Sequence, residues 1–329
     1  MKTIAVLTSG GDAPGMNAAV RAVVRSGCEN NMRVLGIRRG YTGLINGDMF
    51  EMNIRSVSDI IHRGGTMLYS ARCPEFKTEE GIDKAVEVCK VNDISGVVVI
   101  GGDGSFRGAR DLSLKGIPCV GLPGTIDNDI ACCDYTIGYD TALSTIMDMV
   151  DRIRDTTESH DRCSVVEVMG RRAGYLALSG GIAVGATCIL IPEREFDIQA
   201  DIIDRMRRTQ ATGKTHFIIV VAEGVADKLR DQGIDGSMGL AAYIQHNTGV
   251  ESRATILGHV QRGGSPTAKD RIVASRMGHR AVELLKDGIG NRVVAMQKDE
   301  ILDFDIYEAL SMTKHIDMED YKIAMDISI

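Results

Sequence analysis

Short β-branched runs alternate with helix-length amphipathic stretches along nearly the whole chain. This alternation limits the fold more than any other feature, because it is the pattern of parallel βαβ units. Strands are predicted at Thr3–Thr8, Arg33–Ile37, Gly96–Ile100, Cys119–Leu122, Ser164–Met169, Thr187–Ile191, His216–Ala222, Ala254–Leu257 and Val293–Met296. Several are unbroken apolar runs, such as Val97-Val98-Val99-Ile100 and Phe217-Ile218-Ile219-Val220-Val221, which suits strands covered on both faces. The clearest helix is Thr141–Arg154, where Leu143, Ile146, Met147, Val150 and Ile153 recur at spacings of three and four. The most loop-like stretch is Ala226–Gly239, where charges and glycines interrupt the periodicity. A length of 329 residues suits two domains or one large α/β unit. In open α/β sheets ligands sit at the carboxyl ends of the strands, so the loops there are where function is sought.

Composition narrows the ligand. Lys and Arg total 38 against 45 Asp and Glu, a formal net charge of −7, which is the wrong sign for a surface that tracks nucleic acid or anionic lipid. Any anion must be met locally, and 26 of the 38 cations are Arg, the side chain suited to bidentate phosphate recognition. Trp is absent, which argues against the aromatic platforms of single-stranded nucleic acid readers. Cys28, Cys73, Cys89, Cys119, Cys132, Cys133, Cys163 and Cys188 include no C-x-x-C pair and no zinc spacing, so reduced structural thiols are expected. With no run of about 18 apolar residues and no signal-peptide core, a soluble cytoplasmic protein is expected.

The loops after the strands carry the chemistry. Thr8-Ser9-Gly10-Gly11-Asp12-Ala13-Pro14-Gly15-Met16-Asn17 delivers the chain into a helix N-terminus, and alone it fits either a tight turn or a phosphate loop. Ile100-Gly101-Gly102-Asp103-Gly104-Ser105, with a helix expected from about Phe106, is more informative. Its glycines let phosphates approach the backbone, Ser105 can cap or donate, and Asp103 can hold Mg²⁺. In Leu122-Pro123-Gly124-Thr125-Ile126-Asp127-Asn128-Asp129 two carboxylates at i,i+2 of an extended loop should point broadly the same way, as base and partner. Gly213-Lys214-Thr215 looks like the end of a Walker A loop, but Arg208 occupies the required first glycine, and the segment runs from helix to strand, the wrong order. Arg and His cluster in His160-Asp161-Arg162, in Met169-Gly170-Arg171-Arg172, and in Arg253 with Gly258–Pro266, as a second phosphate site would require. Arg21 and Arg25 share one helix face, offering a third anion site or an Arg25–Glu29 pair.

Assembled, these segments strongly resemble the bacterial ATP-dependent 6-phosphofructokinase family over essentially the whole chain. Ser9–Asn17, Arg63-Gly64-Gly65-Thr66 through Ser70-Ala71-Arg72, Gly101–Ser105, Pro123–Asp129, Met169-Gly170-Arg171 and Gly258–Pro266 appear in the family's order. The Gly-Gly-Asp-Gly-Ser loop alone also occurs in NAD kinases and diacylglycerol kinases; the PGTIDND and GHVQRGGSP segments narrow it. The resemblance implies an α/β chain of two Rossmann-like three-layer domains with mainly parallel sheets and an active site in the cleft between them. The ATP-binding domain would be 1–138 plus 252–305, and the fructose 6-phosphate domain 139–251 plus 306–329.

It also implies roles. Gly11, Arg72, Cys73, Gly102, Asp103, Gly104 and Ser105 would hold ATP, with Asp103 serving Mg²⁺. Asp127 would take the proton of the sugar 1-hydroxyl, Thr125 and Asp129 would position the reacting groups, and Arg72 and Arg171 would stabilise the transferring phosphoryl group. Fructose 6-phosphate would be held by Thr125, Ile126, Asp127, Met169, Gly170, Arg171 and Glu223, and near its phosphate by Arg162, Arg253, His259, Val260, Gln261 and Arg262. In the family Arg162 and Arg253 reach in from a neighbouring subunit, implying a homotetramer. Arg21, Arg25, Arg55, Arg154, Gly185 and Lys214 match an effector pocket for ADP or phosphoenolpyruvate, although Ile54 stands where members can have Arg and Thr187 where Glu is common. Gly104 and Gly124 replace the Asp and Lys typical of pyrophosphate-using relatives, favouring ATP over that alternative. A non-catalytic nucleotide sensor would be expected to lose Asp127, Asp103 or Arg171, all of which are present. No nucleic acid or membrane partner is implied.

Overall fold

The apolar runs become buried strands. Val97, Val98, Val99 and Ile100 are fully buried, as are Phe217, Ile219 and Val220, so both runs lie between layers rather than facing water on one side. The computed structural model describes residues 1–328. Its strands are β1 Thr3–Thr8, β2 Arg33–Ile37, β3 Met49–Met52, β4 Ile94–Gly101, β5 Cys119–Pro123, β6 Cys163–Val168, β7 Cys188–Leu190, β8 Phe217–Ala222, β9 Ser252–Ile256, β10 Arg292–Gln297 and β11 Glu300–Asp305.

The chain divides into two compact units. The first comprises Met1–Ile126, Ile130–Thr141 and Arg262–Lys314; the second comprises Asp127–Asp129, Ala142–Gln261 and His315–Ile329. The first unit holds a seven-stranded sheet in the order β11-β10-β5-β4-β1-β2-β3, parallel except for the two edges, where β3 and β11 run antiparallel to β2 and β10. The second unit holds a four-stranded parallel sheet in the order β7-β8-β6-β9. Mainly parallel α/β architecture is therefore observed, as expected from the alternation.

Four expectations need correction. β3 and β11 were not among the predicted strands, because both are short edge strands: the half-exposed alternation of Glu300–Asp305 is no apolar run. The helix expected from about Phe106 spans Asp103–Leu114, so Asp103, Gly104 and Ser105 form its first turn rather than the loop before it. Ala226–Gly239 is no open loop; it contains the helix Ala226–Asp231 and the start of Gly236–Thr248, and Leu229 and Ile234 supply the buried side chains that justify them. The predicted helix Thr141–Arg154 is longer, Tyr139–Ser159.

Candidate active site

In the first unit three strand-end loops are laced together by backbone. Ser9 N donates to Ile100 O (2.9 Å) and Gly124 N to Gly101 O (3.0 Å), so the ends of β1, β4 and β5 lie side by side. A Cβ on Gly101 would lie 2.5 Å from Ser9 O, so only glycine allows this approach. Ser70 Oγ donates to Gly10 O (2.5 Å), and Thr8 Oγ1 lies 2.9 Å from Thr66 Oγ1. Asn17 has a role the sequence reading missed. Its amide donates to Arg63 O and Gly64 O (3.0 and 3.2 Å) and accepts from Met67 N (2.7 Å), pinning the Arg63–Thr66 loop to the helix Met16–Glu29. An Asn two residues after the last loop glycine, at the head of an apolar helix, was the available signal.

Asp103 sits in the first turn of its helix, half-exposed, with its carboxylate 2.9 Å from Arg107 Nε one turn on. The first-turn N–H groups and the helix dipole there favour an anion. Arg72 and Cys73 lie in the irregular stretch before the short helix Glu75–Lys77, Arg72 exposed. Arg262 is placed with the first loop: Nη1 donates to Asp12 O (3.1 Å), and a Cβ on Gly11 would come within 2.7 Å of the same nitrogen.

The turn after β5 bears the carboxylates. Asp127 is 2% exposed, and its Oδ2 lies 3.6 Å from Arg171 Nε. Asn128 takes a left-handed φ of 52°, which breaks the extended alternation, and Asp129 is exposed. The loop is thus not the regular extended stretch that the i,i+2 expectation assumed, and its two carboxylates differ in burial. Thr125 and Ile126, just before them, are buried.

In the second unit Arg171 follows Gly170 in a left-handed turn (φ 55° and 137°), and its backbone N donates to Glu223 Oε1 at 2.5 Å. Gly174 N donates to Glu193 Oε1 (2.8 Å), so two carboxylates clamp the loop that carries Arg171. Met169 N donates to Gln261 Oε1 (3.2 Å); Gln261 is fully buried in the 3₁₀ helix Gly258–Arg262, which also carries His259 and Val260. Arg162, just before β6, and Arg253, on the neighbouring β9, both bind Glu251, at 3.0 and 2.6 Å. Those hydrogen bonds hold the Glu251 carboxyl below its usual range. Glu251 was missed because its partner Arg162 is distant in sequence.

The proposed effector residues fall into two groups. Arg21, Arg25 and Arg55 belong to the first unit; burial and the neighbouring Arg25 lower the Arg21 pKa. Arg154, Gly185 and Lys214 belong to the second, where Arg154 donates to Val184 O, and burial followed by the Arg154 charge pulls Lys214 down. Thr187 is fully buried, and its carbonyl accepts from Arg205 Nε (2.8 Å).

All eight cysteines are free thiols. Burial pushes Cys89, Cys119, Cys132, Cys133 and Cys188 up to about 12, so these thiols stay protonated and unreactive. Among the described residues no three His, Cys, Asp or Glu are grouped to share a metal, and no helix is long and apolar enough to cross a membrane.

The sequence pattern described as phosphofructokinase matches residues 3–285. The chain belongs to the phosphofructokinase family. It is 56% identical over 328 residues to an ATP-dependent 6-phosphofructokinase of Clostridium botulinum, with 100% of both chains covered. It is 54% identical over 329 residues to the protein of the same name from Alkaliphilus metalliredigens, again covering 100% of both. Among solved structures, phosphofructokinase from Saccharomyces cerevisiae superposes with a TM-score of 0.85 at 36% identity, over 100% of this chain and 48% of that one. This chain thus spans about half the length of the yeast chain. A pyrophosphate-dependent phosphofructokinase from Marinobacter aquaeolei matches with a TM-score of 0.85 at 21% identity, over 99% of this chain and 91% of that one, a likeness of fold alone.

Proposed function

We propose that the chain is an ATP-dependent 6-phosphofructokinase, a glycolytic kinase that moves the γ-phosphate of ATP to the 1-hydroxyl of fructose 6-phosphate and releases fructose 1,6-bisphosphate and ADP. The end-to-end 56% identity to a protein of that name carries the reading. Asp127 suits the base: it is buried, and its Oδ2 lies 3.6 Å from the Arg171 guanidinium. It takes the hydroxyl proton as the sugar oxygen attacks, while Arg171 and Arg72 stabilise charge on the moving phosphoryl group. Thr125 and Asp129 position the reacting groups.

ATP is assigned to Gly11, Arg72, Cys73 and Gly102–Ser105. Asp103 fits Mg²⁺, which in kinases takes one or two carboxylates and fills its shell with phosphate oxygens and water, so no three-carboxylate cluster is needed. When bound, the ion neutralises charge on the donor phosphates. An added Cβ at Gly104 meets nothing within 4 Å, so space beside the donor loop stays open for a donor larger than pyrophosphate. Fructose 6-phosphate is assigned to Met169–Arg171 and Glu223 at the sugar, and to Arg162, Arg253, His259 and Arg262 at its phosphate, with Val260 and Gln261 shaping that segment.

A homotetramer in the cytoplasm, with Arg162 and Arg253 offered to a neighbouring copy, extends the reading. It is supported by the edge position of β9 and by Ile256 and Val260, each 56% exposed. The cationic pair Arg154 and Lys214 suits a phosphate of ADP or phosphoenolpyruvate as effector. A coupled assay varying fructose 6-phosphate, with ATP or pyrophosphate as donor and each effector added, tests the reaction, the donor and the effectors. Turnover with ATP and none with pyrophosphate is expected; the reverse overturns the reading.

A further inference from the structure

Placing a carboxylate where water cannot reach it is unfavourable unless its lone pairs are filled. Asp270, in the first turn of the helix Ala268–Lys286, is fully buried and outside every role assigned above. Its Oδ1 accepts from Gly138 N (2.8 Å), and its Oδ2 accepts from Thr141 N (2.9 Å) and Thr141 Oγ1 (2.5 Å). All three donors are neutral and stand at the start of the helix Tyr139–Ser159, Gly138 just before it and Thr141 in its first turn. The same joint is closed from the other side: Thr267 Oγ1 donates to Asp140 Oδ2 (2.6 Å), and Thr267 N donates to Thr141 Oγ1 (3.0 Å).

What each side of the joint carries gives it meaning. Immediately before Gly138, Ile137 N donates to Pro123 O (2.8 Å), Thr125 N donates to Ile137 O (3.1 Å), and Thr136 Oγ1 donates to Thr125 O (2.7 Å). The backbone of Thr125, two residues from Asp127, therefore hangs on the 136–137 segment. The first glycine loop closes on the same place, where a Cβ at Gly15 would lie 2.7 Å from Ile137 Cγ2 and 3.5 Å from Asp270 Cβ. On the other side, five residues before Thr267, stands Arg262 with its guanidinium on the Gly11–Asp12 loop.

We propose that Asp270 is a positioning residue for phosphoryl transfer: it locks the start of the helix Tyr139–Ser159 to the helix Ala268–Lys286, and through the segment that leads into that start holds the backbone that presents Thr125 and Asp127. The inference rests on the kinase reading and names a residue that touches neither substrate. A group of this kind acts on the geometry of the base and not on affinity, so its loss should lower kcat and leave binding in place.

The test is Asp270→Asn, assayed for kcat at saturating ATP and fructose 6-phosphate, for direct binding of fructose 6-phosphate, and for thermal unfolding. An amide keeps the shape but turns an N–H₂ toward groups that are themselves donors. A folded variant should lose about 30-fold or more in kcat while its fructose 6-phosphate affinity stays within about 3-fold. Wild-type turnover measured alongside tests the kinase reading separately. A second pair guards against a variant that does not fold: Thr141→Val should lose about 10-fold in kcat, and Thr141→Ser, which keeps the hydroxyl, should restore it. Wild-type kcat in folded Asp270→Asn, or equal kcat in Thr141→Val and Thr141→Ser, overturns the proposal.

Discussion

Replacing Asp127 by Asn separates what this carboxylate does for the fold from what it does for the reaction. At 3.6 Å, with an effective dielectric near 20, its attraction to Arg171 is about 5 kcal/mol before solvent acts. The Arg171 side chain is 59% exposed, however, and water reduces such a pair to about 1 kcal/mol or less. Losing the carboxylate leaves no cation stranded in the interior, because Arg171 already faces water. Asn matches the volume of Asp, so no cavity forms. Stability should therefore fall by no more than about 1 kcal/mol. The chemical step has no such cushion. A positioned general base is worth about 10²–10⁴ in rate, or roughly 3–5 kcal/mol at 1.36 kcal/mol per decade, and an amide cannot accept the proton. The assay is steady-state turnover at saturating ATP and fructose 6-phosphate, paired with a denaturant midpoint on the same preparation. Fructose 6-phosphate affinity should stay near wild type, since the phosphate-binding cations are untouched. A kcat reduced less than tenfold would refute the base assignment. A loss that tracks unfolding would refute the claim that the pair is energetically minor.

Three further outcomes follow from named contacts. Gly11→Ala puts a methyl 2.7 Å from Arg262 Nη1, the movable end of a long side chain, so stability should change by under about 0.5 kcal/mol while the KM for ATP rises several-fold; an unchanged KM would show that Arg262 and the Gly11 loop are independent of the donor. Asp303 accepts from Arg280 Nη2 (2.9 Å) and Arg292 Nε (2.8 Å); burial opposes its ionisation, yet the hydrogen bonds from these two cations outweigh that and hold its carboxyl below the ordinary value. Its stabilisation is present above the ordinary carboxylate pKa and is lost as pH falls through the depressed one, so Asp303→Asn should cost about 1–3 kcal/mol at pH 7 and progressively less in acid, read from urea midpoints. Asp270 has the opposite sign. Burial lifts its carboxyl from 3.8 to about 6 against the hydrogen bonds of Thr141 and Gly138, with Asp140 adding to the rise, so the folded chain binds this proton more tightly than the unfolded one. Its contribution weakens as pH rises from about 4 to 6, by roughly 3 kcal/mol in all, and a wild-type minus Asp270→Asn difference that stays flat over that range would contradict this.

What could be read from residues alone was whatever depends on local pattern. Unbroken apolar runs gave the central strands, because burial on both faces needs no partner to be recognised. Glycines at strand ends marked the phosphate loops, because a backbone approach such as Gly101 to Ser9 leaves no room for a Cβ. Several misses needed a backbone angle or a distant partner. Asp127 is buried and Asp129 exposed on either side of a left-handed Asn128, and no alternation rule contains that φ. The helix Asp103–Leu114 starts three residues early because a first turn tolerates glycine where its N–H groups lack helical partners, so Gly102-Asp103-Gly104 reads as a turn and folds as a helix start. Asp270 is the sharpest case. Thr267-Ala268-Lys269-Asp270 reads as a capping box, in which the acid would bond back to the cap residue's own N–H. Only half of that box forms: Asp270 N donates to Thr267 Oγ1 (3.3 Å), while Thr267 N turns to Thr141 Oγ1 (3.0 Å). The carboxylate is thereby released from its local duty and takes Gly138 and Thr141, 132 and 129 residues away. An acid that only caps its own helix belongs at the surface, where its charge is solvated. This one is buried in full and takes N–H groups at the start of a second helix, Tyr139–Ser159, so it is that distant helix start, and not its own helix end, that it holds.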